Sequence, residues 1–324
     1  MAHNIQTRDI QTGIKMAWHK KTNVVESITA ENCGIVYGMS IEPLYIKRGE
    51  TLIEVDGRQV VSNDDGLPVG RAVGQDYKLI ANSEIWNAVT SGLEGSKHEI
   101  VSCGTVSDRS LGFISVKVSE NFVAANRDTA NVMNVIWGHG GNKAVVARSG
   151  FTVVVCQNTL NVAMAERADF KLSIRHTSKA NVFDLSKAID THIGVAAEFK
   201  MAMDELHAVS ATASVARKIY AGFLADETPE TKTGVTRLSN AVDSMETLFV
   251  SGKGNAGRTM ADVLNGATDY YSHGNGENPW KQFVSSEFGA AGTNKSRLLD
   301  VLRNPAELSA TILRGESVLA ELGI

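Results

Sequence analysis

The chain changes its hydrophobic period part-way along. Between about residues 40 and 160, short apolar runs are separated by polar and glycine-containing breaks, the pattern of strands. The runs are Pro43 to Ile46, Leu52 to Val55, Gln59 to Val61, Val69 to Val73, Tyr77 to Ile80, His98 to Val101, Phe113 to Val118, Val132 to Trp137, Lys143 to Ala147 and Phe151 to Val155. Asp56-Gly57 between two of them predicts a hairpin turn, because both residues tolerate positive φ. Asn82-Ser83 predicts a cap for a helix through Ile85 to Val89. Thr159 to Ala165 predicts the start of another helix.

Beyond about residue 180 the period becomes helical. Leu185, Ile189, Ile193, Ala196, Phe199, Met203 and Leu206 recur at three and four residues and form one apolar face. This helix is expected to run to Leu224, before Pro229. A second spans Val235 to Val250, a third begins near Thr259, and Thr293 caps a fourth. Asn304-Pro305 opens the last, which runs to Leu322. The predicted fold is α+β: a mostly antiparallel β-sheet body over residues 1–180 with a polar N-terminal arm, then a helical region, 181–324, packed on the body. Self-association is expected from the helical region, whose stripe includes Met201 and Met203.

Composition narrows this picture. Hydrophobic residues make up 43 % of the 324 and charged residues 21 %, ordinary globular values. No apolar run approaches a membrane span, and the start of the chain has no apolar segment of the secretory type. A cytoplasmic protein with no membrane partner is expected. The net charge of −4 excludes a generic basic coat but leaves room for a local basic groove. Cys33, Cys103 and Cys156 are an odd, sparse set without a CxxC spacing, as suits a reducing compartment.

Three segments carry candidate chemistry. Gly252 to Thr259 satisfies G-x-G-x-x-G, but Arg258 stands where a phosphate loop has lysine, and a helix-forming segment precedes it. A glycine-rich connection between helices is the plainer reading. In the second segment a β-branched run ends at Cys156, followed by Gln157, Asn158 and Thr159. Cys156 could pair with His139 or His176 as nucleophile and base, or be a small buried hydrophobe. In the third, Arg167, Lys171, Arg175 and Lys179 are joined by His176, Thr177 and other hydroxyls within 13 residues. That mix suits phosphate contact, with stacking from aromatics such as Phe170, Trp18 or Trp137; a solvated strand explains it equally. No histidine spacing forms a metal signature, so neither a metal nor another cofactor is expected.

Cys156-Gln157-Asn158-Thr159-Leu160-Asn161 and Ile174-Arg175-His176-Thr177 resemble elements of the phage- and plasmid-borne family DUF932. Met1-Ala2-His3-Asn4-Ile5 and Ala17-Trp18-His19 match that family's N-terminal element. Asn265 to His273 and Ser286 to Gly289 echo its C-terminal pattern. The loop Gly138-His139-Gly140-Gly141 lacks the family's aspartate, and Val153 stands where the family often has arginine. Members of such a family occur among DNA-metabolism and recombination genes, and no activity is established for them. By analogy of fold class, the resemblance implies an oligomeric, non-enzymatic protein of the Rad52-like kind that binds or anneals single-stranded DNA for a phage or mobile element in the bacterial host cytoplasm. Arg167, Lys171, Arg175 and Lys179 would take phosphates, His176 and Thr177 would add hydrogen bonds, and Trp18, His19 and Lys20 would lie over the strand. The alternatives are an enzyme acting on nucleic acid or nucleotide through Cys156, His139 and His176, and a structural or host-interaction phage protein.

Overall fold

A computed structural model describes residues 10–12, 23–24, 28–33, 35, 38–106, 109–118, 121–141, 143–153, 158–162, 172–177, 184–225, 228–274, 285–286 and 289–323. The architecture is α+β, with antiparallel sheet in the N-terminal and central parts and helices in the C-terminal part. Two compact units share the chain, and neither is one continuous segment. The first comprises residues 1–120, 132–149 and 166–195, the second residues 121–131, 150–165 and 196–324. The central strands β8 (Arg127–Gly138) and β9 (Val145–Val153) contribute residues to both units.

In the first unit, β1 (Ile10–Thr12) pairs in parallel with β2 (Asn23–Val24) and antiparallel with β5 (Glu99–Val106). The antiparallel order continues through β6 (Leu111–Lys117) to β8 (Arg127–Gly138). Short β11 (Leu172–Ile174) pairs antiparallel with β9 (Val145–Val153), with Val145 opposite Ile174. The helix α1 (Asn82–Leu93) lays Ile85, Trp86, Ala88 and Val89 on the buried side chains of Cys103, Ile114, Val116, Met133, Val135 and Trp137. Those sheet residues alternate along their strands, so the period-2 pattern of the sequence becomes one continuous core face.

The hairpin of β3 (Met39–Arg48) and β4 (Thr51–Ser62) is a separate two-stranded sheet. Its turn falls at Gly49-Glu50, not at Asp56-Gly57 as the sequence suggests. β4 runs straight through that pair, and the register shifts between Pro43 and Leu44. Gly57, at φ +133°, supplies the positive φ for a bulge inside the strand rather than for a turn. The segment Thr159 to Ala165 is another departure: its described part belongs to a strand, β10 (Asn158–Val162). In the sheet β10 lies beside β9, and pairing with a neighbouring strand overrides a weak helical preference.

In the second unit β7 (Phe122–Ala124) pairs with the start of β8. Its helices are α2 (Asp184–Ala208, which begins in the first unit), α3 (Ala213–Leu224), α4 (Lys232–Ser251), α5 (Met260–Asp269), α6 (Ala290–Arg303) and α7 (Pro305–Leu322). The expected helix to Leu224 is broken in two, with the Thr212 side chain accepting from the Val215 N–H to cap α3. Asn304 caps α7 as the sequence predicts, accepting from the amides of Ala306 and Glu307. α6 starts at Ala290, three residues before Thr293, with Gly289 rather than Thr293 at the cap position. Phe151 and Phe199 stack at 4.0 Å, with Phe122 set edge-on to both. Met203 is buried and Met201 exposed. No helix among the described residues is long and apolar enough to cross a membrane.

The glycine-rich loop 252–258 belongs to this unit, and its chemistry is internal. The buried Arg127 guanidinium pairs with buried Asp262. It also donates to the Gly254 carbonyl at 2.9 Å and to Asn255 Oδ1 at 3.1 Å. The other oxygen of Asp262 accepts from the amides of Arg258 (3.0 Å) and Thr259 (3.1 Å) at the start of α5. In a phosphate loop those are the amides that would face an anion; here a carboxylate of the chain already occupies them. The element before the loop is the helix α4, not a strand. Removing the guanidinium leaves Asp262 buried without its counter-charge. Arg127→Met is expected to lower unfolding stability by about 3 kcal/mol or more. Urea denaturation of the variant checks this.

Candidate functional site

One buried oxygen organises a polar cluster in the first unit. Asn82 is the first residue of α1, yet its side chain does not cap that helix. The Ala81 amide instead donates to Glu84 Oε1 at 3.1 Å, while Asn82 Oδ1 turns inward and accepts from Trp137 Nε1 at 2.6 Å. His139 Nε2 lies 2.7 Å from the same oxygen. All three side chains are almost wholly removed from water.

The chemistry of these groups fixes the protonation pattern. An indole N–H can only donate, so the Asn82 atom facing it is the carbonyl oxygen. That oxygen can only accept, so His139 carries its proton on Nε2. Its Nδ1 is then an acceptor, 3.5 Å from the Tyr77 hydroxyl. The His139 backbone is held by the Ser110 carbonyl at 2.8 Å. Gly112 lies opposite Trp137 in the β6–β8 register, and a Cβ there would stand 2.2 Å from the indole ring. Only glycine leaves room for the tryptophan that locks Asn82.

Tyr77 joins the second histidine to this cluster. Its ring stacks on His176 at 4.8 Å with a 14° tilt. His176 meets His139 edge-on, with ring centroids 5.8 Å apart. The segment around Tyr77 is tied down on two sides. Arg58 Nη2 donates to the Gln75 and Tyr77 carbonyls, and the Lys78 amide donates to the His176 carbonyl at 3.3 Å. The His176 side chain is only 8 % exposed, and neither ring nitrogen has a hydrogen-bond partner among the described residues. An unsatisfied pair of nitrogens at this depth is unusual.

Burial sets the electrostatics. It pushes His139 down to about 3, with His176 as a secondary cause. It also lowers His176, partly opposed by the hydrogen bond with the Lys78 backbone, and raises the Tyr77 phenol. At neutral pH the cluster is therefore two neutral imidazoles and a neutral phenol. Such groups donate and accept hydrogen bonds. With His139 held down to about 3, that ring is poorly matched to shuttling protons near pH 7.

The sequence candidates are placed as follows. His139 and His176 come together, although 37 residues separate them. Arg175 and Thr177 are exposed on the opposite side of the strand end from His176: Ser173, Arg175 and Thr177 face water while Ile174 and His176 face the core. Trp137, considered for base stacking, is fully buried and bound to Asn82. Cys156, Trp18, His19, Lys20, Arg167, Lys171, Phe170 and Lys179 lie outside the described residues. Tyr77 and Asn82 were missed, because one reads as a strand residue and the other as a helix cap. No group of three or more metal-ligating side chains occurs among the described residues.

Burial of these histidines predicts a fold that loses stability in acid. A histidine with its pKa depressed below the unfolded value of about 6.5 supports folding fully above that pH. The support is lost as pH falls from there toward the folded value. His192, buried beside Ser149 Oγ at 2.5 Å and lowered to about 4, acts in the same sense. Urea midpoints are expected to be level above about pH 7 and to fall between pH 6.5 and 4. His139→Gln should flatten that slope by up to about 1.4 kcal/mol per pH unit.

The sequence pattern of the family described as "domain of unknown function (DUF932)" matches residues 71–302, well over half of the chain. No curated protein and no solved structure matches it. The matched span contains Tyr77, Asn82, Trp137, His139 and His176, and also the Arg127–Asp262 pair. The chain belongs to the DUF932 family.

Proposed function

We propose that this protein binds single-stranded DNA as an oligomer, in the service of a phage or mobile element and in the host cytoplasm, without itself being an enzyme. The observation that carries this reading is the alternation at residues 173–177. Ser173, Arg175 and Thr177 present a cation between two hydroxyls to solvent, the donor set for successive phosphates. Exposed Lys78 stands beside them, since its amide is bonded to the His176 carbonyl. Arg167, Lys171 and Lys179 extend the basic character of the same stretch of sequence. The inward side of residues 173–177 carries His176, which packs against Tyr77 and His139.

A second reading is favoured by the 5.8 Å approach of His139 to His176: an enzyme acting on nucleic acid or nucleotide, with Cys156 as nucleophile or the two histidines as acid and base. Burial that holds His139 down to about 3 weighs against that ring as the acid or base near pH 7. Alkylation kinetics separate the two readings, since a Cys156 that reacts no faster than a free thiol disposes of the nucleophile.

The binding test is a labelled single-stranded oligonucleotide titrated across a salt series. Affinity is expected to fall on the order of 10³-fold between low and moderate salt if six or more phosphates are engaged. Arg175→Ala should weaken binding and reduce the slope of log K against log salt by about 0.7, the value for one phosphate of a single strand. Lys78→Ala should do the same. Absence of binding at low salt, or binding indifferent to salt, rejects the reading.

A further inference from the structure

The outer half of the β3–β4 hairpin exposes apolar side chains on both faces, Ile46 and Ile53 on one and Tyr45 and Leu52 on the other. Tyr45, Ile46, Leu52 and Ile53 are 51 %, 59 %, 64 % and 45 % exposed. The base of the hairpin is fastened, with Arg58 and Val73 exchanging both backbone hydrogen bonds and the Val69 amide bonded to the Val60 carbonyl. Beyond the bulge, residues 44–55 pair only with one another among the described residues. A lone two-stranded ribbon is marginal in water, and an exposed apolar ribbon with open edges invites another chain.

The order of side chains on β3 indicates which chain. Glu42, Leu44, Ile46 and Arg48 fall on one face by strand alternation, and Val55 and Ile53 stand opposite Leu44 and Ile46 in the register. The row has an anion at one end, a cation at the other and two aliphatic side chains between. Turned end for end it is its own complement: Arg48 meets Glu42 of the other copy, and Ile46 meets Leu44. This is the self-matching that a two-fold interface requires. Nucleic acid is a poor occupant, because Glu42, Glu50, Glu54 and Asp56 outnumber Lys47 and Arg48 on the same segment.

We propose that two copies of this chain associate through the outer halves of their β3–β4 hairpins, packed antiparallel on the row Glu42, Leu44, Ile46 and Arg48. The proposal locates the self-association of the oligomer and does not depend on Arg175 or on DNA. A few half-exposed side chains per copy bring less area than a standard interface of about 1,600 Å², so the dimer forms as concentration rises.

Sedimentation velocity of the full chain over a concentration series, without nucleic acid, tests it. The wild type should shift from monomer to dimer. Ile46→Glu with Ile53→Glu should leave a monomer with unchanged circular dichroism, because both side chains are exposed in the single chain. Glu42→Arg or Arg48→Glu alone should weaken association on the order of tenfold or more, since like charges then face each other. The two changes together should restore it, a rescue that only self-pairing in this register provides. A wild type that stays monomeric at every concentration overturns the proposal, as does an oligomer that survives the double glutamate variant. Charge variants without effect overturn the antiparallel arrangement. A chain that dimerises in this way but binds no DNA keeps this proposal and loses the nucleic-acid reading.

Discussion

The carbonyl oxygen of Asn82 holds the first unit's polar centre together. A buried oxygen without partners would be costly, and two N–H donors within 2.7 Å satisfy this one fully. Because it can only accept, it determines which nitrogen of His139 bears the proton, and so which nitrogen faces Tyr77. The stack of Tyr77 on His176 then carries this order to the end of the strand. The arrangement needs a helix start, a strand end, a loop and an edge strand to converge, and Gly112 to leave space for Trp137.

The second unit solves a similar problem with charge. Arg127 and Asp262 are both buried, which is tolerable only because each is also hydrogen-bonded to the glycine-rich loop or the start of α5. The same carboxylate that neutralises the guanidinium occupies the amides that an anion would use. A segment with the composition of a phosphate loop is thus a fastening for a buried arginine. Glycine there serves the loop's own geometry, with Gly254 and Gly257 both at positive φ.

In the proposed nucleic-acid reading, the two faces of residues 173–177 have different tasks. The inward face packs into the histidine–tyrosine cluster. The outward face gives charge and hydroxyl groups that a phosphate backbone can use. The hairpin offers the complementary property, an apolar surface with balanced end charges suited to another copy of the chain.

The pattern of apolar positions in the sequence determined the α+β class, the helical C-terminal part and most strand positions, because period is a local property that burial merely reads out. It also determined caps whose side chains act within a turn, such as Asn304 and Thr259. The DUF932 kinship was legible in short motifs around His176 and Cys156. Only the tertiary structure decided the rest. Asn82 became a core acceptor instead of a cap because Trp137 and His139 arrive from the end of β8, far along the chain. Asp56-Gly57 became a bulge because the strand partner continues to Arg48. The glycine loop closed on Arg127, which stands more than a hundred residues away. Each of these outcomes depends on pairing between groups remote in sequence, and a local pattern carries no information about which remote donor will reach a given acceptor.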